Sequence, residues 1–409
     1  MTRTLVIAGH GMAGHRLAEE VLARDAARTW RLVILAEEDR PAYDRVALST
    51  LFDGKSPEDL ALTGHDFLTH PRVRLRLRTT VTAIDRGRTA VICQDGTEVR
   101  YDALVLATGS RPFVPPVPGA ALPGSFVYRT VADIDAIRAA AGEPGRPAVV
   151  IGGGLLGLEA ANGLRSLGLR PHIVETAPRL MALQLDEGAG RVLARLIGAL
   201  GVTAHCSSTT ASVEAGPDGR VASVRLSGGT ELPASVVVFA AGVRPRDELA
   251  EPAGLARGER GGFLVDELCR TGGGPIWAIG ECAAVSGRTY GLAAPGYRMA
   301  RSVADQLTNG GGVPFTGADM STRLKLIGVD VASFGDAFAR TEGAMEYVVQ
   351  NDAAATYAKL VLGPDGRTLL GGVLAGDARA YPGLRSLTGL PFGVPPDELL
   401  APGRSRNGP

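Results

Sequence analysis

Apolar residues along this chain fall in short runs that end at glycines, and the runs alternate with longer stretches where they recur at helical spacing. Leu5-Val6-Ile7 leads into glycines and then into Met12 to Ala23, whose apolar positions fit one helix face, and Leu32 to Leu35 reads as a second buried strand. Strand, glycine turn, helix and strand in that order describe a parallel sheet with right-handed crossovers. The pattern begins again at Ala148-Val149-Val150-Ile151, with a helix over Leu155 to Leu167 and a strand at His172 to Val174. Two copies of one supersecondary unit predict two nucleotide-binding domains.

The stretch PFVPPVP from Pro112 to Pro118 reads as a stiff connection between them, and Gly310-Gly311-Gly312 as a second boundary. Beyond it the pattern turns strand-rich, at Leu324 to Ile327, Tyr347 to Val349, Lys359 to Leu362 and Leu369 to Leu374. The fold expected is therefore α/β, with two Rossmann-like dinucleotide-binding domains and a small C-terminal α+β domain over 315–400. The tail APGRSRNGP is expected to fray.

Composition excludes more than it assigns. Over 409 residues, basic and acidic side chains balance at 43 each, so nothing favours a nucleic-acid or anionic-membrane partner. No apolar run approaches the roughly 18 residues that span a bilayer. The start MTRTLVIAGHG runs straight into a strand instead of a secretory leader, which makes the cytoplasm the expected location. Cys93, Cys206, Cys269 and Cys282 are scattered and the six histidines are dispersed. No iron–sulfur cluster, zinc site or redox-active disulfide is expected, and no metal ligand is assigned. Only Lys55, Lys325 and Lys359 are lysines, which reads as a bias of composition.

The chemistry lies in the glycine turns. Gly9-His10-Gly11-Met12-Ala13-Gly14 follows a strand and opens a helix. Gly9 permits the tight turn, Gly11 lets a pyrophosphate approach the helix N-terminus, and Gly14 lets helix and strand pack closely. Glu37 and Glu38 stand at the end of the next strand, where a carboxylate can accept hydrogen bonds from a ribose diol. Gly152-Gly153-Gly154-Leu155-Leu156-Gly157 repeats the motif, with Glu175 as its acidic partner. A carboxylate there favours a free 2′-hydroxyl and repels a 2′-phosphate, so NADH is expected over NADPH. Arg179, four residues on, is the one nearby group suited to a 2′-phosphate. Two dinucleotide sites on one chain imply hydride exchange, with one nucleotide donating electrons and a flavin storing them.

Further marks carry a resemblance. Ala107-Thr108-Gly109-Ser110-Arg111-Pro112, Ala240-Ala241-Gly242-Val243-Arg244-Pro245 and Ile276-Trp277-Ala278-Ile279-Gly280-Glu281 are similar, in order, to segments of the FAD-dependent pyridine nucleotide oxidoreductases. The resemblance implies FAD on the first turn (Gly9, Gly11, Met12, Ala13, Gly14), with Glu37, Arg45, Val81, Thr108, Gly109, Arg129 and Glu281 around it. It implies NADH on the second (Gly152, Gly154, Leu155, Leu156, Gly157), with Glu175 and Gly242. The FAD domain would be split over 1–112 and 242–312, with the NAD(H) domain at 113–241. The stretches AYDRVALS (42–49), GGGLLGLEAA (152–161), LMALQLD (180–186), GLAAPGYRMA (291–300) and LKLIGVDV (324–331) look most like the N-terminal flavin portion of large subunits of NADH-dependent assimilatory nitrite reductases. In those subunits an iron–sulfur region and a sirohaem domain would follow. No cysteine follows Cys282 here, so the stretch is expected to act as the electron-input module alone.

Departures from neighbouring families narrow the reading. Residues 41–50 hold no redox cysteine, and the paired cysteines of disulfide reductases are absent. Oxygenase-coupled ferredoxin reductases end the same stretch in a lysine near the flavin; here Leu48-Ser49-Thr50 replaces it. Glu159, which the resemblance pairs with that lysine, would need another partner. Arg45 is the candidate and solvent contact the alternative, and Glu159 and Arg45 are the expected catalytic pair. The expected reaction takes hydride from NADH onto FAD and passes electrons to an external acceptor. That acceptor is read first as a redox protein carrying a cluster or haem, second as a small molecule such as a quinone, oxygen or a biosynthetic intermediate. A redox-sensing binding protein is a third reading, and a homodimer is compatible with all three. Lys325, alternating with Leu324 and Leu326, is expected either to be an ordinary surface lysine or to line the flavin-side cleft or the acceptor's docking surface.

Overall fold

The computed structural model describes residues 2–326 and 328–400. The chain forms two compact units, Met1–Arg111 with Val243–Ala318, and Pro112–Gly242 with Asp319–Pro409. Among the described residues no helix is long and apolar enough to cross a membrane.

The first unit is built on a five-stranded sheet in the order Ile276–Ala278, Ala103–Leu106, Arg3–Ala8, Trp30–Leu35, Val73–Arg76. Every pairing in it is parallel. Leu5, Val6 and Ile7 are all buried, in one core with Leu17 and Val21 of the following helix and with Ile84 and Val91, which explains a strand without polar alternation. The helices Met12–Arg24 and Ala293–Asn309 pack together. Buried Glu20 ties them, accepting from Arg16 and Arg24 of its own helix and from Arg301 of the other. An antiparallel three-stranded sheet, Val81–Asp85, Ala90–Cys93 and Glu98–Arg100, completes this unit and was not foreseen from the sequence.

The second unit repeats the plan with strands in the order Thr203–His205, Arg170–Val174, Pro147–Ile151, Val236–Phe239, Ser125–Val127, again all parallel. The strand-rich stretch after residue 315 becomes a five-stranded antiparallel sheet: Thr322–Leu326, Val329–Gly335, Leu369–Ala375, Thr356–Leu362, Met345–Asn351. This sheet, the expected small C-terminal domain, falls in the same compact unit as the second parallel sheet. The reason is the amphipathic helix Glu187–Ala199, which lies between them and packs on the strands Thr356–Leu362 and Leu369–Ala375. The other face of the antiparallel sheet carries Ala332, Phe334, Leu360 and Leu374 against Tyr381 and Leu384 of the helix Tyr381–Leu387. Ile327, the side chain of Lys325 and the tail over 401–409 lie outside the described residues, and with them the two expectations for Lys325 and the frayed tail.

Phe334 locks that face. Its ring is buried, meets Tyr381 edge to face at 6.1 Å, and fills the space over Gly372, where a Cβ would stand 2.9 Å from it. Phe334→Ala should destabilise the antiparallel sheet by about 3–5 kcal/mol, the cost of emptying a buried aromatic site. Denaturation followed by a probe in this sheet measures it; a loss below about 1 kcal/mol would mean the face repacks.

Candidate functional site

Each parallel sheet presents one glycine turn, and the two turns share their local geometry. In the first, Gly9 has φ +111°, and a Cβ on it would stand 2.2 Å from the Ala107 carbonyl oxygen. A Cβ on Gly14 would stand 2.4 Å from the Gly9 carbonyl oxygen. Gly11 differs: its backbone is extended, and nothing lies within 4 Å of where its Cβ would be. In the second turn Gly152 has φ +116° with its Cβ position 2.4 Å from the Ala240 carbonyl oxygen, a Cβ on Gly157 would stand 1.9 Å from the Gly152 carbonyl oxygen, and Gly154 is open. Two glycines in each turn are required by the protein's own packing. The middle one leaves a clear approach.

That approach ends on a helix N-terminus. Neither Met12–Arg24 nor Leu155–Ser166 has a side-chain cap, and neither carries an acid in its first turn. The first-turn amides, including those of Met12 and Ala13 in one helix and Leu155 and Leu156 in the other, lack intrahelical acceptors and lie at the positive end of the helix dipole. Such an end suits a pyrophosphate. His10 adds no charge there: its Nδ1 accepts from the Ala42 amide at 3.2 Å, and burial lowers its pKa to about 3.

The acidic strand ends are both in place and both already bonded to protein. Glu37 holds Arg246 through both oxygens, with Nη2 at 3.1 Å. Glu38 accepts from the Tyr43 hydroxyl at 2.8 Å and from Arg45. Glu175 accepts from the Gly153 amide at 2.6 Å, the Ala177 amide at 2.7 Å and the Thr176 hydroxyl at 3.1 Å. A carboxylate has about four acceptor sites, so each retains capacity for a ribose hydroxyl. Arg179 instead turns its Nε to the Leu185 carbonyl at 2.7 Å.

The remaining expected flavin residues divide between the units. Thr108 donates its hydroxyl to the Arg246 carbonyl at 2.6 Å, and Gly109, at φ +70°, accepts from the Arg246 amide at 2.9 Å. Glu281 lies in the short helix Gly280–Cys282 and accepts from the Ser110 hydroxyl at 2.9 Å. It borders the first cradle, because a Cβ on Gly296 would touch Ala13 and Gly280 at 3.3 Å each. Val81 starts the strand Val81–Asp85 and packs half-buried on the core of the first unit. Arg129 sits in the second unit, its amide donating to Asp133 in the first turn of the helix Val131–Ala141. Gly242, at φ +105°, accepts from the Phe113 amide at 2.8 Å where the chain leaves the second unit.

Glu159 lies one turn into the helix Leu155–Ser166. Burial raises its carboxyl pKa to about 7, and the Tyr128 hydroxyl, donating to it, offsets only part of that rise. Arg45, expected to face Glu159, is held by Glu38 and stacks over Tyr43 at 4.9 Å. Tyr128 is the neighbour that sequence reading missed; an aromatic residue directly before Arg129 was the available signal. The four cysteines are free. Burial raises all four thiols, Cys269 to about 12, so none is an activated nucleophile. Among the described residues no group of three metal-ligating side chains converges.

Comparison with known proteins agrees with this geometry. Residues 3–302 match the family model described as pyridine nucleotide-disulphide oxidoreductase, and residues 321–388 match the rubredoxin NAD+ reductase C-terminal domain. The chain is 48% identical to the nitrite reductase [NAD(P)H] large subunit of Klebsiella oxytoca, over 97% of this chain and 41% of that protein. It is 35% identical to the assimilatory nitrate reductase electron transfer subunit of Bacillus subtilis, over 92% of this chain and 48% of that protein. The chain thus spans less than half the length of these two relatives. A crystal structure of the covalent putidaredoxin reductase–putidaredoxin complex superposes with a TM-score of 0.84 at 26% identity, covering 97% of this chain and 95% of that one.

The open middle glycines give a test that separates folding from binding. Nothing lies within 4 Å of the Cβ position at Gly11 or Gly154, and neither position has a positive φ, so valine at either should leave the fold intact. Gly11→Val should lose FAD, read as flavin absorbance in the purified protein. Gly154→Val should keep FAD and weaken NADH binding by more than about tenfold. The reverse outcome would exchange the two assignments.

Proposed function

The chain belongs to the pyridine nucleotide-disulphide oxidoreductase family, and we propose that it is an electron-input reductase, specific for NADH, whose FAD is emptied by a separate redox protein. As an FAD-dependent NAD(P)H oxidoreductase it combines two dinucleotides. The observation that carries the proposal is the pair of like cradles in a chain whose thiols are all raised by burial: two dinucleotides can be held, and no cysteine is poised to relay electrons between them and an acceptor.

FAD, when bound, supplies hydride acceptance and electron release. The protein's part is placement. The 10–14 amides and Glu281 would hold one nucleotide, and the 153–157 amides and Glu175 the other, so each would be bound and oriented by its own cradle. Thr108, Gly109, Val81, Gly242, Arg129 and Arg45 complete the flavin and nicotinamide surroundings in this reading. Glu159, half protonated near pH 7, adjusts charge beside the second cradle. A protein acceptor is favoured by two relatives: one named for electron transfer to a nitrate reductase, the other captured with its redox partner. A cytoplasmic setting, where reduced nicotinamide is available, follows from the donor. Anaerobic NADH should bleach the flavin, and an oxidised iron–sulfur protein should restore its colour faster than quinone or oxygen. Faster reoxidation by either small molecule would move the acceptor to that class.

NADH should bind at least about tenfold tighter than NADPH, a difference of about 1.4 kcal/mol. Glu175 is the cause, since Arg179, the one cation expected near the 2′ position, is turned to Leu185. Glu175→Gln keeps an acceptor for the Gly153 amide and removes the charge, so the gap should narrow. An unchanged gap would assign discrimination elsewhere.

Glu159 makes the reaction pH-dependent. Its carboxyl is neutral below about pH 7 and charged above it. NADH reduction of the flavin should change with a midpoint near pH 7, and Glu159→Gln should flatten the profile at its low-pH level. The same raised pKa sets a stability term that is present below the ordinary value of 4.5 and lost as pH rises through about 7, because the unfolded chain gives up that proton more readily. Thermal unfolding of wild type and Glu159→Gln across this range measures it; parallel curves would count against the assignment.

A further inference from the structure

Lys359 is a buried lysine in a chain that has only three, 4% exposed on the strand Thr356–Leu362. Its Nζ lies 2.9 Å from Asp186 and 2.9 Å from Glu346. Tyr357, two residues away on the same face, donates its hydroxyl to Asp186 at 2.7 Å. The Tyr357 ring packs against Gly188, where a Cβ would stand 2.3 Å from it. Burying an ammonium is costly, and a leucine at this position would fill similar space at less cost. Lysine is suited to this place because its compact charge reaches between two carboxylates.

Asp186 is the far end of a loop, 175–186, that follows the strand Arg170–Val174 and touches the second glycine turn. The Met181 amide donates to the Gly153 carbonyl at 2.9 Å, and Met181 is held at φ +49° to do so. Leu180 fills the space a Gly153 side chain would take, 2.7 Å from that Cβ position. The Leu185 amide donates to the Met181 carbonyl at 2.9 Å, and Arg179 Nε donates to the Leu185 carbonyl. Asp186 then caps the helix Glu187–Ala199, accepting from the Ala189 amide at 3.0 Å. Leu180, Met181 and Leu185 near its two ends are buried, whereas Leu183 at its crest is 86% exposed, so the loop is held at its ends.

We infer that the C-terminal sheet sets the affinity for the nicotinamide nucleotide, with Lys359 and Tyr357 acting as positioning residues that hold Asp186 and, through the 180–186 loop, the Gly153–Gly154 turn. The inference rests on the reading that this turn binds NADH. Loss of the anchor frees the loop to sample other positions, and binding must then restore the turn's order, which weakens affinity and leaves the bound geometry intact.

The test is stopped-flow reduction of the FAD-loaded full chain over a range of NADH concentrations. Lys359→Met should raise the NADH concentration for half-maximal reduction roughly tenfold and leave the saturating rate and FAD content within about twofold. Tyr357→Phe, which keeps the ring on Gly188 and should fold regardless, should raise it about threefold, also without change at saturation. Unchanged half-saturation in both variants, or a fall in the saturating rate alone, would overturn the inference. Gly154→Val separates the premise: if that variant binds NADH normally, the turn's assignment fails; if it loses NADH while Tyr357→Phe and Lys359→Met do not, only the anchor fails.

Discussion

Close approach of a helix to the strand before it is the constraint on which both nucleotide cradles depend. The Gly14 and Gly157 Cα atoms stand so near the carbonyl oxygens of Gly9 and Gly152 that no side chain fits between. Only with the helix drawn in this far do its first amides reach the mouth of the turn, and only there can they serve a phosphate. The positive φ of Gly9 and Gly152 turns the chain sharply enough to start the helix at that point, beneath the backbone of residues 107 and 240. Those are the residues that lead into Thr108-Gly109 and Ala241-Gly242, so each cradle has a floor from a distant strand as well as a wall from its own turn.

Charge is arranged around these positive helix ends with little left free. Each strand-end carboxylate first stabilises protein structure: Glu37 fixes Arg246, and Glu175 fixes the Gly153 and Ala177 amides. A carboxylate already bonded is also oriented, and orientation before binding lowers the entropy a ribose must lose on arrival. Arg45 and Tyr43 do the same for Glu38. The exception is Glu159, whose burial is only partly answered by a neutral hydroxyl. A carboxyl left in that state near neutrality lies outside the structural bonding that occupies the others.

The glycine turns, the parallel strands and the acidic strand ends were legible in the sequence because each is local, a few residues fixing one piece of backbone. Glu281 and Thr108-Gly109 were reached through resemblance alone; nothing in their spacing says that Ser110 would bond Glu281. What escaped was pairing across long separations. Arg246 with Glu37 and Lys359 with Asp186 join residues that no periodicity relates. Arg45 is also held by Glu38, seven residues before it, a pairing the sequence reading did not make. The helix Glu187–Ala199 was missed as a joint for a related reason: its second apolar contact is a sheet that begins more than a hundred residues later.

That joint bears on why a reductase of this kind carries the C-terminal sheet at all. A parallel α/β domain is complete when both faces of its sheet are covered, and around Pro147–Ile151 the core already joins Val149, Ile151 and Val237 to Val213, Val224 and Leu232. An added antiparallel sheet therefore contributes little to closing that core. Its own core faces the helix Tyr381–Leu387, and the face turned to Glu187–Ala199 carries Lys359 and Tyr357 among its apolar residues. An interface chosen for stability alone would be expected to exclude a buried ammonium, since well-packed apolar side chains of similar volume serve as well or better. A polar anchor instead fixes one register, because Lys359 and Tyr357 meet Asp186 in only one alignment of strand and helix. The contribution of the sheet is thus better described as placement of the 180–186 loop against Gly153 than as bulk support.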